Sequence, residues 1–286
     1  MESGFLTAVL LPIALGVIML GLGLSLTMAD FQRVVRYPRP VLVGLTCQML
    51  VLPAACLFIA EVFALPPELA VGLMLLAASP GGATANLFSH LARGDVALNI
   101  SLTAVNSVLS LITLPIIVTL AMSRFMGEGR SIPLPLEKVV QVFAIVLVPV
   151  AIGMVLRSRS PALADRLNRP VKILSALFLI LVVLASIAKE RDNVVSFIQQ
   201  VGLAALAFNL VSMAVGYLVP RLFRVEKRQA IAIGMEIGIH NGALAITIAS
   251  SPLLLNNSVM AIPAAVYSVI MFFTAAAFGF LVNRRA

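Results

Sequence analysis

Uncharged apolar runs of membrane-spanning length follow one another along almost the whole chain. A helix rises 1.5 Å per residue, so about 20 apolar residues cross a hydrocarbon core of about 30 Å. Runs between flanking charges fall at 3–29, 40–60, 69–92, 96–123, 139–156, 173–188 and 193–220. The stretch 229–283 is too long for one helix. Ser251-Pro252 and Asn256-Asn257 divide it into spans at about 229–250 and 258–283. The expected fold is therefore an all-α polytopic membrane protein with nine transmembrane helices.

Charge supports the same reading. Asp, Glu, Lys and Arg make up 11% of the chain, where a soluble domain carries roughly 25%. The net charge of +8 would suggest nucleic acid in a soluble protein. Here the basic residues sit in short loops, where lipid topology accounts for them. Arg33, Arg36 and Arg39 follow the first run, Arg157 to Lys172 the fifth, and Arg221 to Arg228 the seventh. Basic excess on alternate loops places the N-terminus outside and the C-terminus in the cytoplasm of a cell inner membrane. Glu2 precedes the first run, which is long enough to span, so no cleavable signal is expected. Cys47 and Cys56, nine residues apart, fall on opposite sides of a helix. No disulfide or metal–thiolate site follows. Connections under about 20 residues leave no room for a soluble catalytic domain. Nor does the sequence offer a nucleophile–base pair, a metal-ligand cluster or a repeated pore signature, which disfavours an enzyme or a channel.

Two runs carry residues that a lipid-facing helix does not tolerate. The third contains Ser79-Pro80-Gly81-Gly82-Ala83-Thr84-Ala85-Asn86, and the eighth contains Glu236-Ile237-Gly238-Ile239-His240-Asn241-Gly242. Pro80 removes a backbone donor, and glycine costs about 1 kcal/mol in a helix interior. Broken backbone at membrane depth persists only when buried in protein or lining an aqueous cavity. One such segment fits a kinked packing helix as well; two, both rich in polar groups, fit a transport site better. By the loop charges they run in opposite directions, as inverted repeats with a broken helix in each half require. Glu236 alone among the twelve acidic residues lies deep within a span, where ionisable groups cost about 2.5–3.5 kcal/mol or more. It marks a cation or proton site. Gln48, Asn86, Asn99, Thr103, Asn106, His240 and Asn241 are the other deep polar residues. Their amide and hydroxyl oxygens suit a hard cation such as Na⁺. His240 is read either as a neutral hydrogen-bonding residue or as a titrating one. No Lys or Arg lies at that depth, so an anion at the midplane must be held by helix N-termini and side-chain dipoles. The second half of the third span begins near Gly82, which directs attention to Ala83, Thr84 and Ala85.

These two motifs, with Leu91-Ala-Arg-Gly-Asp-Val-Ala-Leu98 between them, resemble the bile acid:sodium symporter family, and the resemblance covers almost the whole chain. The chain is similar to the nine-helix bacterial form. The resemblance implies a panel domain (about 3–29 and 137–188) moving against a core domain (about 40–123 and 193–283), with the broken helices crossing in the core. It implies one sodium on Asn86, Asn99, Thr103 and Glu236. A second would lie on Gln48, Glu236, His240 and the carbonyls near Ile237 and Ile239. Asn241 and the Met271-Phe272 pair of the last helix would join Ala83–Ala85 around the substrate. This sequence departs from the family pattern in having Ala85 and Asn99 at positions where Ser is common, and His240 in place of Gln. Met271-Phe272 replaces a polar pair and makes the cavity wall more apolar. The expected function is sodium-coupled symport of an organic anion (bile-acid-like, pantoate-like or a keto acid) by alternating access. Na⁺ is the coupling ion, no other cofactor is expected, and membrane lipid is the surrounding partner. Proton coupling through Glu236 and His240 is the alternative.

Overall fold

The computed structural model of the chain describes residues 2–127, 136–189, 194–252 and 254–284, with side chains from Ile13 onward except at 83, 136–143, 146 and much of 172–194. The charged residues Glu128, Arg130, Glu190, Arg191, Asp192 and Arg285 lie outside these residues. Among the described residues all elements are helical. Helices α1 (Glu2–Ser25), α2 (Met28–Arg36) and α3 (Pro38–Thr46) come first. A π-helical turn (Cys47–Val51) joins α3 to α4 (Leu52–Val62). Then follow α5 (Pro67–Ala78), α6 (Ala83–Leu91), α7 (Val96–Met126), α8 (Leu136–Arg159) and α9 (Pro161–Lys189). The last elements are α10 (Val194–Leu222), α11 (Lys227–Gly238), α12 (Gly242–Ser250), a 3₁₀ turn (Val259–Ala261) and α13 (Ile262–Arg284). Among the described residues four helices are long and apolar enough to cross a bilayer, or five if α1 and α2 count as one bent span.

Local chemistry explains the boundaries. The expected first run of 3–29 is cut at Leu26-Thr27, where the chain turns by 61°. Both the backbone N–H and the hydroxyl of Thr27 donate to Asp30 Oδ2 at 2.7 Å, so the Asp30 side chain reaches back to tie down the residue before the new helix. Asp30, expected in a loop, is 5% exposed inside α2 and pairs with Arg33. Asp95 caps α7 by accepting from the Leu98 N–H. Asn257 Oδ1 accepts from the Val259 and Met260 N–H groups where the last span begins.

Helices α1, α8 and α9 pack on one another, with α1 meeting α8 where Gly23 and Gly153 bring the backbones together. With lipid outside, little hydrophobic force drives helices together, so close packing at small residues takes its place. The rest centres on α7, which touches α2, α5, α6 and α11, while α10 packs on α11 and α13. Leu42, Phe58, Ile112, Leu120, Phe273 and Leu281 cover outward faces as lipid-facing side chains do. Every residue of α5 from Leu69 to Ala78 and of α11 from Gln229 to Gly238 is buried. These two half-helices are thus enclosed by protein, the condition for a break beside them to persist in a membrane.

Candidate cation and substrate site at the helix crossing

Helix α5 stops at Ala78 and α6 starts at Ala83; between them Ser79 and Gly82 are extended. Helix α11 stops at Gly238 and α12 starts at Gly242, with Asn241 Oδ1 capping the Leu244 N–H. The two breaks lie against each other. The Gly82 N–H donates to Ile239 O at 2.9 Å and the Asn241 N–H donates to Pro80 O at 2.8 Å, forming an isolated antiparallel bridge between Gly81 and His240. Backbone groups freed by one break are satisfied by the other, as buried backbone polar groups require. Pro80, which has no N–H to give, enters the pairing only as an acceptor.

Glu236 lies in the last turn of α11, beside this bridge, and is 0% exposed. Thr103 Oγ1 donates to its Oε2 at 2.6 Å and Asn106 Nδ2 to its Oε1 at 3.2 Å. The Gly81 backbone is a further hydrogen-bond partner. A Cβ at Gly81 would overlap the Glu236 carboxyl, so only glycine leaves room for this approach. The ion pairs among the described residues are Arg33–Asp30, Arg124–Glu61 and Arg157–Asp165. None neutralises Glu236.

The surrounding amides share one arrangement. Gln48 Nε2 donates to Ser79 O at 3.0 Å, Asn99 Nδ2 to Ala232 O at 2.7 Å and Asn209 Nδ2 to Gly238 O at 3.0 Å. Because a carbonyl only accepts, each amide must turn its nitrogen that way, and Asn106 likewise turns its nitrogen to the carboxylate. The amide oxygens of Gln48, Asn86, Asn99, Asn106 and Asn209 are left buried with no protein partner. A buried acceptor without a partner costs about 1–3 kcal/mol. Several around one unpaired carboxylate form a hard-oxygen environment suited to a small cation.

The structure brings the expected residues together to different degrees. Thr103 touches Glu236 directly, its hydroxyl shared with Asn99 O at 3.1 Å, and Asn99 ties α7 to α11 through Ala232. Asn86 adds an unpartnered oxygen from α6. In the second set, Gln48 Nε2 and His240 Nδ1 converge on the same Ser79 carbonyl, at 3.0 and 3.2 Å. The carbonyl acceptor fixes Nδ1 as the protonated nitrogen. The ring lies stacked on Phe208 and edge-on to Tyr267. Ile237 is fully buried in the last turn of α11, and Ile239 O already accepts from Gly82.

Around the expected substrate position, Thr84 Oγ1 and the Asn241 backbone both lie close to Gly82, at the crossing. The Ala83 side chain lies outside those described. Ala85 is fully buried and its N–H donates to Gly82 O at 2.9 Å, so that amide, expected to face the crossing, is engaged in the first turn of α6. Met271 is buried in the core, whereas Phe272 is half-exposed and packs on Phe88 of α6 with centroids 5.9 Å apart.

Residues 12–197 match the sodium bile acid symporter family. The chain belongs to that family. The matched segment includes Gln48, Asn86, Asn99 and Thr103 and ends before Glu236. Similar proteins include the uncharacterized sodium-dependent transporter YocS of Bacillus subtilis, 26% identical over 91% of this chain and 78% of that protein. The probable sodium/metabolite cotransporter BASS1 of Arabidopsis thaliana is 26% identical over 90% of this chain and 62% of its own length. The human P3 protein is 28% identical over 78% and 47%. The chain thus spans less than two thirds of the latter two. As a member of the sodium bile acid symporter family it is a multi-pass membrane transporter and not an enzyme.

Sequence reasoning placed Ser79 and Gly81 in the broken segment but did not foresee that their backbones meet His240 and Glu236. It also passed over Asn209 and Tyr267, which both donate to Gly238 O. Asn106 was among the deep polar residues but in neither ligand set. It lies three residues after Thr103, on the same helix face, and that spacing was the available signal.

Proposed function

We propose that this chain is a sodium-coupled symporter of an organic anion with apolar bulk, a bile-acid-like, pantoate-like or keto acid, working by alternating access. The observation that carries the reading is Glu236, a fully buried carboxylate with neutral donors and no cationic partner among the described residues. Such a charge is stable in a membrane interior only when a cation joins it. The names of the Bacillus and Arabidopsis relatives, which specify sodium, support Na⁺ as that cation. We assign one ion to Asn86, Asn99, Thr103 and Glu236. In the second set, Gln48 Oε1 is the unpartnered side-chain oxygen, while His240 offers nitrogen, a poor Na⁺ ligand. The anion binds at the crossing, near Thr84 and Asn241 and the start of α6, whose first N–H groups carry partial positive charge. Phe272 lies on the apolar side. In this reading nine spans divide into a panel of α1, α8 and α9 and a core holding both broken helices. The N-terminus faces outside, and the chain resides in the inner membrane.

Sodium raises anion affinity because it removes the negative potential that Glu236 would otherwise impose. The test is uptake of radiolabelled organic anions into proteoliposomes under an inward Na⁺ gradient, with choline as the control. Uptake confined to the Na⁺ gradient is expected. Uptake driven by a pH gradient alone would replace this reading with proton coupling through Glu236 and His240.

A further inference from the structure

Helices α4 and α7 each pack along α5 but scarcely touch one another. Between them lies a groove of about 490 Å³, walled by Pro53, Ala54 and Leu57 of α4 and by Ile117 and Leu120 of α7, with Met74 of α5 as its floor. Met74 is buried, whereas Ala54 and Leu120 are exposed at the rim, so the groove opens on the lipid side. Apolar walls give water no hydrogen-bond partners, and an empty space of this size would forfeit the contacts of every side chain around it. In a membrane protein the filler is an acyl chain of the surrounding lipid. Ile117 also lines the small polar cavity beside Gln48 and Asn106, so a chain seated in the groove packs on the wall of the helix crossing.

One end of the groove is charged. Among the described residues that line it, Arg124 alone carries a charge, and it lies in the last turn of α7. Its Nη2 meets Glu61 Oε1, in the last turn of α4, at 2.6 Å. The pair spans the mouth where both helices reach the membrane interface. The two side chains are 62% and 39% exposed, and the contact engages one guanidinium nitrogen and one carboxylate oxygen. The mouth therefore offers free donors beside a free acceptor, with a net charge of zero. A phosphate suits the planar fork of the guanidinium. A headgroup with net negative charge would set that phosphate against Glu61 with nothing to balance it. The carbonyl ends of α4 and α7, both at the mouth, add partial negative charge and disfavour such a headgroup further. A headgroup with an ammonium beside its phosphate meets both members of the pair. A primary ammonium can donate hydrogen bonds to Glu61, whereas a quaternary one has no N–H to give.

We propose that the α4–α7 groove is a site for a zwitterionic phospholipid with a primary-amine headgroup, a phosphatidylethanolamine. One acyl chain lies in the groove, the phosphate sits on Arg124 and the ammonium on Glu61. The site is separate from the helix crossing and does not depend on which ion drives transport.

The chain contains no tryptophan, so a single introduced indole reports its lipid neighbours without background. Phe58, 67% exposed, lies one turn beyond Ala54 on α4 and flanks the groove. Phe273, 73% exposed on α13, is the reference for ordinary surrounding lipid. The full-length Phe58→Trp and Phe273→Trp proteins are reconstituted into vesicles of equal parts phosphatidylethanolamine, phosphatidylcholine and phosphatidylglycerol, with brominated acyl chains, which quench indole fluorescence on contact, carried by one lipid at a time. For Phe58→Trp, quenching by brominated phosphatidylethanolamine should exceed that by either other lipid about twofold or more, the scale of an exposed ion pair. All three lipids should quench Phe273→Trp alike. Adding Arg124→Gln with Glu61→Gln should abolish the preference, and unchanged quenching of Phe273→Trp in that background reports an intact fold. Equal quenching of Phe58→Trp by all three lipids would overturn the proposal and leave ordinary lipid in the groove. A preference for phosphatidylglycerol would overturn it in favour of an anionic-lipid site. Equal preference for phosphatidylethanolamine and phosphatidylcholine would overturn the ammonium contact with Glu61. A preference for phosphatidylethanolamine that survives the double substitution would overturn the role of the Arg124–Glu61 pair.

Discussion

Gly81→Ala should weaken sodium binding by about one to two orders of magnitude, whereas Gly82→Ala, one residue away, should leave it nearly intact. The added methyl at Gly81 would overlap the Glu236 carboxyl, while at Gly82 its nearest neighbours are His240 O and Thr84 Oγ1 at 3.4 Å, an ordinary contact. Neither glycine has a positive φ. Both changes also restrict the unfolded chain alike, so the comparison isolates the contact itself. To make room, the carboxyl must leave Thr103 Oγ1, now at 2.6 Å, or Asn106 Nδ2. A hydrogen bond to a charged group contributes about 1.5–3 kcal/mol. At 1.4 kcal/mol per factor of ten, losing one weakens sodium binding about 10- to 100-fold. Thermal unfolding of the detergent-purified variants across a NaCl series, at ionic strength fixed with choline chloride, reads this out, because a bound ion raises stability by mass action. A folded Gly81→Ala protein with wild-type sodium-dependent stabilisation would refute the placement of the ion at this carboxylate.

Two further expectations follow from the site and the topology. Gly82→Val puts branched methyls beside His240 O and Thr84 Oγ1. It should lower anion affinity on the order of tenfold while sparing sodium, and isothermal titration of both ligands checks this. Cysteine introduced at Asn256 should be labelled by an impermeant maleimide in intact cells, and at Ala162 only after permeabilisation. Both positions are exposed, and the native Cys47 and Cys56 are buried. The reverse pattern would invert the topology.

The membrane class was legible because it rests on hydropathy and on where charges interrupt it. The breaks at Pro80-Gly81-Gly82 and around Gly238 were legible for a local reason: those residues cannot continue a helix without cost. The bend at Leu26-Thr27 was not. It contains neither Pro nor Gly, and its cap uses Asp30, which reads equally well as a loop charge. The π turn at Cys47–Val51 was also hidden, although Pro53, which cannot donate to Met49 O, is a local cause in hindsight. Glu236 stood out as the deep carboxylate, but its partners depend on how α7 is rotated against α11. The sequence spacing of Asn99, Thr103 and Asn106 shows that they share a face. It cannot show which of them meets the carboxylate. The antiparallel pairing of the two breaks, some 160 residues apart along the chain, is a tertiary fact with no local signal. The use of the Ala85 N–H within its own turn is set by the first turn of α6, which closes more tightly than an α-turn.

Glu236→Gln tests the central claim most directly, by equilibrium ²²Na⁺ binding to the purified protein in the absence of any anion. The amide keeps the size of the side chain and can still accept from Thr103, but it carries no charge. Saturable binding by the wild type and none detectable in the folded Gln variant is the expected result. Sodium binding of equal affinity in the two proteins would contradict it and remove Glu236 from the cation site.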